Sequence, residues 1–335
     1  MFDRLIKFAI TQRWLIVLIF TAISALGIYN YQRLPIDAVP DITNVQVQIN
    51  TEAAGYSPFE AESRVSLPIE TALAGLPDLK ATRSISRYGL SQVTVIFEDG
   101  TDIYFARQLV NERLQAARNV LHANLTPELG PISTGLGEIF MYTVENKPNS
   151  PAPLNATELR TLQDWVIKPQ LRSVTGVTEV NSIGGYVKQY VVSPKPEQLR
   201  GLGLTVQDVV KALSQNNSNV GAGYIEKSGQ QYLLRSPAQM TRIDEVGAIA
   251  VKSHAGQIVR LRDVADIHIG SEIRTGAATK DGQEVVLGTA FMLIGENSRT
   301  VSMRVNEKLK QIQQSLPDSV FANAVYDRTL LVDAA

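Results

Sequence analysis

The chain has 335 residues, of which 44% are hydrophobic and 19% are charged, and its formal net charge is −1. This length allows two or more packed units, because single hydrophobic cores stop growing at roughly 250–300 residues. The near-neutral charge provides no basic face for nucleic acid. The absence of cysteine excludes disulfides, thiolate metal sites and cysteine nucleophiles.

A long apolar segment near the start predicts a transmembrane helix within residues 1–33. No charged residue lies between Arg13 and Arg33, and about 20 mostly apolar residues suffice to cross a bilayer. Aromatic residues that favour the membrane interface stand at both ends of the segment, namely Trp14, Tyr29 and Tyr31.

The basic residues around this segment predict its orientation. Arg4, Lys7 and Arg13 precede it, whereas only Arg33 follows closely, so the short N-terminus is expected in the cytoplasm and residues 34–335 mainly in the periplasm. A cleaved signal peptide with a site at Ala22-Ile23-Ser24 is the alternative. The apolar run exceeds the usual apolar region of about 7–15 residues in a signal peptide, which favours a retained helix.

Residues 34–137 follow the pattern of a ferredoxin-like unit. Val45, Val47 and Ile49 alternate with polar residues as in a half-buried strand. Ser57 and Glu60 then form a capping box around Pro58, and Pro68 is expected to kink the helix that follows. The next elements are strands near Ala81–Tyr88 and Ser91–Glu98, and a helix with the apolar face Ala106, Val110, Leu114, Ala117 and Leu121. A last strand would complete the split βαβ order.

The same order recurs with an interruption, which predicts an α+β protein with two ferredoxin-like βαββαβ units. The first part of the second unit, residues 138–183, and its second part, residues 275–326, are separated by an insert at 184–274. The predicted elements are strand Ile139–Glu145, helix Thr157–Ser173, strand Val177–Ile183, strand Glu284–Leu293, helix Ser298–Ser315 and strand Val320–Tyr326. Repetition of a unit is a stronger signal than any single element.

The insert has an α+β pattern of its own. It predicts a strand at Tyr186–Val192 and a helix at Thr205–Ser214 with Val206, Val210 and Leu213 directed inward. A glycine-rich stretch at residues 221–223 leads to a hairpin at Lys227-Ser228-Gly229. A projecting hairpin would suit docking to a partner, and an ordinary surface turn fits the pattern equally well.

The sequence motifs give no indication of a self-contained enzyme. The sequence has no phosphate-binding GxxxxGK[ST], no HExxH, no CxxC and no GxSxG motif. The three histidines, His122, His254 and His268, are widely separated and are not expected to bind metal. The methionines do not cluster in sequence, so no soft-metal site is visible (Met1, Met141, Met240, Met292 and Met303).

Two glutamates in predicted apolar strands are the remaining candidates for chemistry. Glu138 follows a glycine-rich turn and opens a strand, and Glu179 lies within another. A carboxylate in an apolar strand is costly unless it is solvated or paired. One interpretation is oxygen ligation of a divalent cation moving through a cleft, and the other is an ordinary outward-facing side chain. From the residues alone both interpretations stay open.

Several long segments resemble the periplasmic porter region of resistance–nodulation–division (RND) efflux pumps. They are LPIDAVPDITNVQVQINTEAAGYSP (Leu34–Pro58), YGLSQVTVIFEDGTDIYFARQLVNERL (Tyr88–Leu114), GPISTGLGEIF (Gly130–Phe140), DWVIKPQLRSVTGVTEVNSIGGY (Asp164–Tyr186) and EVVLGTAFMLIGENSRTVS (Glu284–Ser302). The terminal YDRTLLVDAA (Tyr326–Ala335) resembles the stretch before the family's second transmembrane helix. The resemblance covers essentially the whole chain and is closest to the heavy-metal branch, the cobalt–zinc–cadmium (Czc-type) inner-membrane subunit.

The resemblance implies an architecture and partners. The two ferredoxin-like units would be porter subdomains 1 and 2, the insert at 184–274 would be half of a docking domain, and residues 327–335 would lead into a second transmembrane helix. Such pumps are homotrimers in the inner membrane, driven by proton flow. They act with a periplasmic adaptor (membrane fusion protein) and an outer-membrane channel, and no cofactor is implied.

The resemblance also implies a substrate class. In copper and silver members the position of Glu138 typically carries an aromatic residue, and methionines bind the metal. A glutamate there favours a divalent ion such as zinc, cobalt, cadmium or nickel. By similarity, Glu138 and Glu179 are the candidate ligands of the transported ion.

Family pumps are about three times as long as this chain and have a dozen membrane helices, so we expect a part of such a pump. The proton-carrying carboxylates and the second half of the metal cleft would lie outside it. Two alternatives stay open: a single-span periplasmic binding or adaptor protein built on the same folds, and an RND exporter of organic substrates.

Overall fold

The computed structural model describes residues 10–33, 43–122, 124–133, 135–148, 150–217, 220–236, 240–254, 257–274 and 276–334. The first helix, α1, spans Arg13–Arg33. Among the described residues it is the one helix long and apolar enough to cross a membrane, and its span Arg13–Asn30 has no burial against the rest of the protein. The predicted cytoplasmic residues Arg4 and Lys7, and the first part of the Leu34–Pro58 segment, lie outside the described residues.

The first sheet has four antiparallel strands. In chain order its elements are β1 (Gln46–Glu52), helix α2 (residues 58–73), β2 (Leu79–Arg87), β3 (Leu90–Phe97), α3 (Ile103–Arg118) and β4 (Pro127–Leu129). The strand order is β2-β3-β1-β4. Both helices pack on one face, where the predicted apolar stripe of α3 is buried together with Val47 and Ile49.

Helix α2 consists of an α-helical start (Pro58–Ala61), a π-helical turn (Glu62–Ser66) and a second α-helical part (Leu67–Leu73). The predicted capping box is confirmed, because Ser57 and Glu60 each accept the other's backbone N–H. Pro68 does not simply kink the helix. It has no N–H to donate and its ring opposes the carbonyl four residues earlier, and the π-turn just before it opens the helix at that point.

The second unit begins with a short 3₁₀ turn, Gly135–Gly137, that leads into β5 (Glu138–Asn146). Helix α4 repeats the plan of α2: an α-helical start (Ala156–Leu162), a π-turn (Gln163–Ile167) and an α-helical end (Lys168–Arg172). Pro169 again stands just after the π-turn. Strand β6 (Val177–Ile183) follows.

The insert contains β7 (Lys188–Pro194), α5 (Pro196–Gly201), α6 (Val206–Gln215), β8 (Val220–Lys227), β9 (Gln230–Ser236), α7 (Ile243–Gly247), β10 (Ala250–His254), β11 (Gln257–Arg260), α8 (Leu261–Val264) and β12 (Ala265–Ser271). Strands β7 and β12, through which the chain enters and leaves the insert, pair along their whole length. The insert has its own apolar core.

Two predictions for the insert are corrected or confirmed by the structure. Helix α6 buries Val209 and Ala212, whereas Val206 and Val210 are about half exposed, so the predicted inward face is wrong for these two residues. Consecutive valines at 209 and 210 fit helical spacing equally well, and only packing chooses between them. The predicted hairpin is confirmed: Ser228 and Gly229 have φ of 53° and 74°, as a two-residue hairpin turn requires.

The chain returns to the second sheet through β13 (Ala278–Lys280) and β14 (Gln283–Met292), followed by α9 (Ser298–Gln313), β15 (Val320–Asp327) and α10 (Arg328–Ala334). The four main strands lie in the order β6-β14-β5-β15, and β13 pairs with the start of β14. Numbered within its own unit, this is the order of the first sheet. Helices α4 and α9 bury their apolar faces against it.

A buried polar contact joins the π-turn to the sheet in both units. In the first unit the Ser66 hydroxyl lies 2.8 Å from that of Ser86 and 2.7 Å from that of Ser91. In the second, the Tyr142 hydroxyl donates to Gln163 Oε1 at 3.0 Å, and Gln163 Nε2 donates to Ser182 Oγ at 3.2 Å. Burial raises the pKa of Tyr142 well above its ordinary value, so the tyrosine stays a neutral donor.

Candidate functional site

The structure brings Glu138 and Glu179 to the same face of the second sheet. Glu138 on β5 and Glu179 on β6 are both paired with Phe291 on β14, one from each side. Directly paired residues point to the same face of a sheet, so the three side chains form one row. The helices cover the opposite face, where Phe140, Val180 and Ala290 are buried. All three members of the row are partly exposed.

Three β-bulges surround this row. The pairing of β14 skips Ile139 on β5 and Thr178 on β6, and the pairing of β15 with β5 skips Val325. Without its bulge, β5 would place Glu138 on the same side as Phe140, because side chains alternate along a strand. The extra residue Ile139 is buried and turns Glu138 to the open face. Bulges that redirect a side chain are frequent beside functional sites.

The spacing of the row limits what it can bind. Glu138 and Glu179 are separated by two strand spacings, so their Cα atoms lie roughly 10 Å apart, with Phe291 between them. A ligand oxygen must approach zinc to about 2.0–2.2 Å. A single ion that touched both carboxylates would have to sit above the Phe291 side chain, on the solvent side of the sheet.

The next row of the open face consists of Asn181, Thr289, Met141 and Tyr326, aligned across all four strands. Sequence reasoning missed this row and Phe291, because the pairing depends on bulges that no residue pattern marks. Met141 stands one row from Glu138 and supplies one sulfur atom. It is the one methionine of this row.

Buried polar side chains contact the backbone carbonyl groups before and after Glu138. The Ser302 hydroxyl, fully buried, donates to Asp327 Oδ1 at 2.7 Å and lies 3.3 Å from the Ile139 carbonyl oxygen. Arg328 Nη1 donates to the Leu136 carbonyl at 2.7 Å. Sequence reasoning missed these residues too, although a buried serine on the apolar face of α9 and the YDRT segment are visible signals.

Within the described part of the chain, no group of three or more His, Asp or Glu residues is placed to hold a metal ion. His122 is bonded to its neighbour Asn124, with 2.7 Å between Nδ1 and Oδ1, and His268 Nδ1 lies 3.3 Å from Asp266 Oδ2. His122 follows α3 of the first unit and His268 lies on β12 of the insert, whereas the side chain of His254 lies outside the described residues. The row around Phe291 thus brings together two carboxylates, fewer than such a group needs.

The open face of the first sheet carries several amide side chains. A groove of about 620 Å³ crosses it, lined by amide and carboxylate side chains that include Gln48, Asn50, Gln92 and Glu128. Asn50 is paired with Gln92 on one side and Glu128 on the other, and β1 pairs with both neighbours without a register shift. This row also includes Ile85 on β2, so it carries one carboxylate, and β1 has no bulge.

The fold as a whole is similar to that of a known class of membrane transporter. It superposes on a solved structure of a heavy metal efflux pump with a TM-score of 0.86 and 28% sequence identity, covering 98% of this chain and 33% of the pump. A family model described as the AcrB/AcrD/AcrF family matches residues 5–335. The chain belongs to this family, whose members are RND transporters and not hydrolases or redox enzymes. The resemblance noted in the motifs is confirmed.

Several relatives match over the full length of this chain. Protein HelA of Legionella pneumophila is 60% identical, and the cobalt-zinc-cadmium resistance protein CzcA of Cupriavidus metallidurans is 58% identical. Each alignment covers 100% of this chain and 32% of the relative. The chain therefore spans about a third of the length of the relatives it matches.

Proposed function

We propose that this chain is the N-terminal part of a proton-driven inner-membrane exporter of divalent heavy-metal cations. Zinc, cobalt, cadmium or nickel is the substrate, and the complete protein works as a homotrimer with a periplasmic adaptor and an outer-membrane channel. The observation that carries the proposal is the 58% identity, over the whole chain, to a protein named for cobalt, zinc and cadmium resistance.

The two sheets support a division into porter subdomains. Their common strand order supports assigning residues 34–137 to subdomain 1 and residues 138–183 with 275–326 to subdomain 2, both ferredoxin-like. The paired strands β7 and β12 support a docking subdomain at 184–274. Helix α1 is then the first of several membrane helices, and residues 327–335 lead toward the second. The proton relay lies on helices outside this chain.

Glu138 and Glu179 are proposed as ligands of the transported ion. Carboxylate oxygens suit divalent zinc, cobalt and nickel better than copper(I), which prefers sulfur. Two carboxylates at the rim of an open sheet leave coordination positions for water and for groups from the rest of the transporter. An incomplete set of protein ligands also suits a transported ion, since an ion that is to be released must not be fully enclosed.

The test is metal tolerance and accumulation in cells that carry the full-length gene, with Glu138→Gln compared with wild type. This change keeps the size of the side chain and removes its charge. We expect the tolerated zinc concentration to fall roughly tenfold, since loss even of groups that only support metal ligands costs about 10–100-fold in affinity. Glu179→Gln should act in the same direction.

Glu307→Gln is the matched control, because Glu307 is exposed on α9, on the other side of the sheet. It should leave tolerance unchanged. Unchanged tolerance to zinc, cobalt and cadmium in Glu138→Gln would refute the assignment of the site. If deletion of the gene altered tolerance to drugs but not to metals, the substrate class would be organic compounds.

A further inference from the structure

We propose that Ser302, Asp327 and Arg328 are positioning residues for Glu138. They hold the bulged backbone that directs this carboxylate to the open face. The inference deepens the proposed function and rests on it only for the identity of the ion, since the geometry concerns the backbone at residues 136–139. No member of this cluster is expected to touch the ion.

The contacts enclose Glu138 from both sides along the chain. Arg328 donates to the carbonyl of Leu136, two residues before Glu138, and the Ser302 hydroxyl lies 3.3 Å from the carbonyl oxygen of Ile139, the residue after it. Ser302 is fully buried and Arg328 is 5% exposed. Buried donors of this kind are costly unless they are bonded, so the cluster favours one arrangement of these carbonyls.

The bulge explains why such support is needed. Ile139 is the residue that β5 inserts between the pairs Phe140–Ala290 and Glu138–Phe291. The sheet ladder is disrupted at a bulge, and the extra residue is left without its regular partner. Buried carbonyl groups need a hydrogen-bond donor from elsewhere. A loosened bulge would let β5 move toward regular pairing, which would turn Glu138 toward the helices.

Asp327 connects this support to helix α10. Its Oδ1 accepts the Ser302 hydroxyl at 2.7 Å, and it also accepts the N–H of Thr329 at 2.9 Å and the Thr329 hydroxyl at 2.7 Å. Asp327 therefore fixes the first turn of α10 and orients the serine behind Glu138 at the same time. A displacement of α10 would move Arg328, which donates to the Leu136 carbonyl, and would disturb Asp327, which orients the Ser302 hydroxyl next to the Ile139 carbonyl.

The first measurement is hydrogen–deuterium exchange in the intact, purified full-length protein, followed in the peptide that contains residues 135–141. Ser302→Ala and Arg328→Gln should increase exchange in this peptide. Ser66→Ala is the matched control, since Ser66 is equally buried and bonded to Ser86 and Ser91 in the first sheet. It should increase exchange near residues 86–91 and leave 135–141 unchanged.

The second measurement is zinc transport by the same variants in reconstituted vesicles. We expect Ser302→Ala to raise the half-saturating zinc concentration about tenfold, the lower range for groups that support metal ligands, while the maximal rate stays near that of wild type. Asp327→Asn, which keeps an oxygen acceptor for Ser302, should behave like wild type, whereas Asp327→Ala should behave like Ser302→Ala. In a Glu138→Gln background Ser302→Ala should have no further effect.

Unchanged exchange at residues 135–141 would overturn the proposal. So would a loss of maximal rate at an unaltered half-saturating zinc concentration, because that result indicates general destabilisation. If Glu138→Gln itself leaves zinc dependence unchanged, the proposed ion site is wrong. In that case the exchange measurement still decides whether the cluster holds the bulge.

Discussion

Gly288 leaves space for a large buried side chain in the second sheet. It lies on β14 opposite Tyr142, and a Cβ built at this position would come within 2.2 Å of Tyr142 Cζ. The tyrosine is one of the largest fully buried side chains, and its hydroxyl reaches Gln163 in the π-turn of α4. The glycine thus provides the space in which the ring joins the sheet to the helix.

Gly288→Ala should therefore destabilise the protein by about 1–3 kcal/mol, the usual cost of overpacking a core. Thermal unfolding of the purified protein measures the effect. Gly201→Ala is the control, since a Cβ there has nothing within 4 Å, and it should be neutral. Tyr142→Val removes the ring that the new Cβ would meet. The double variant Gly288→Ala/Tyr142→Val should therefore lose less stability than the sum of the two single changes. If the double variant is as unstable as the sum of the two single changes, the clash is not the cause.

At the scale of elements, the helices that cross from the first to the second strand of each unit share a plan. Each starts at a capping box, Ser57 with Glu60 and Asn155 with Glu158, and each has a π-turn just before a proline. Hydrogen bonds from the Ser57 backbone N–H and hydroxyl hold the pKa of Glu60 below its ordinary value. The same arrangement of Thr205 lowers the pKa of Asp208 at the start of α6.

We expect Ser57→Ala to cost about 1 kcal/mol, the typical loss for a helix cap. Ser63→Ala, an exposed serine of the same helix, should cost little. A carboxyl with a lowered folded-state pKa stabilises the fold above its unfolded pKa, and this contribution is lost as pH falls through the folded pKa. The stability difference between wild type and Glu60→Gln should therefore disappear on acidification. A difference that persists well below the lowered pKa of Glu60 would contradict this account.

The sequence predicted the order of the elements along the chain in both units better than their details. Alternation at Val45–Ile49, the capping box and the stripe on α3 are local patterns, and each was confirmed. The bulges at Ile139, Thr178 and Val325 were not predictable, because they depend on pairing with a distant strand. For that reason Glu138 and Glu179 were predicted as separate strand residues, and their shared partner Phe291 was not foreseen. Pro68 was predicted to kink its helix, and the structure has a π-turn just before this proline.

At the scale of the whole molecule, the described residues form three apolar cores, one for each sheet and one for the insert. The insert is joined to the second sheet through paired strands, with Lys188 opposite Ser271. Arg274 lies over the ring of Tyr186, 5.1 Å from its centroid, and pairs with Glu284 on β14. The chain thus leaves and re-enters the second unit at one place.

Excision of residues 189–270 from the full-length protein, with an Asn-Gly turn joining Lys188 to Ser271, should therefore leave the second sheet folded. A two-residue turn is the natural connection for paired antiparallel positions. Trypsin resistance of the second unit and thermal unfolding measure the outcome. An excision of equal length at 196–277 joins unpaired ends and should fail. Equal damage from both excisions would show that the insert is needed for the second sheet to fold.

The bulge at Ile139 has a consequence for how related chains can diverge. Inserting one residue on β14 between Ala290 and Phe291 would give Ile139 a partner, restore regular alternation and turn Glu138 to the helix-covered side, although the glutamate itself would still be encoded. A change of one codon in the gene can thus decide on which face of the sheet this carboxylate lies. In related chains, a one-residue insertion or deletion where β5 pairs with β14 matters as much as a substitution. A glutamate aligned with Glu138 need not lie on the same face of the sheet.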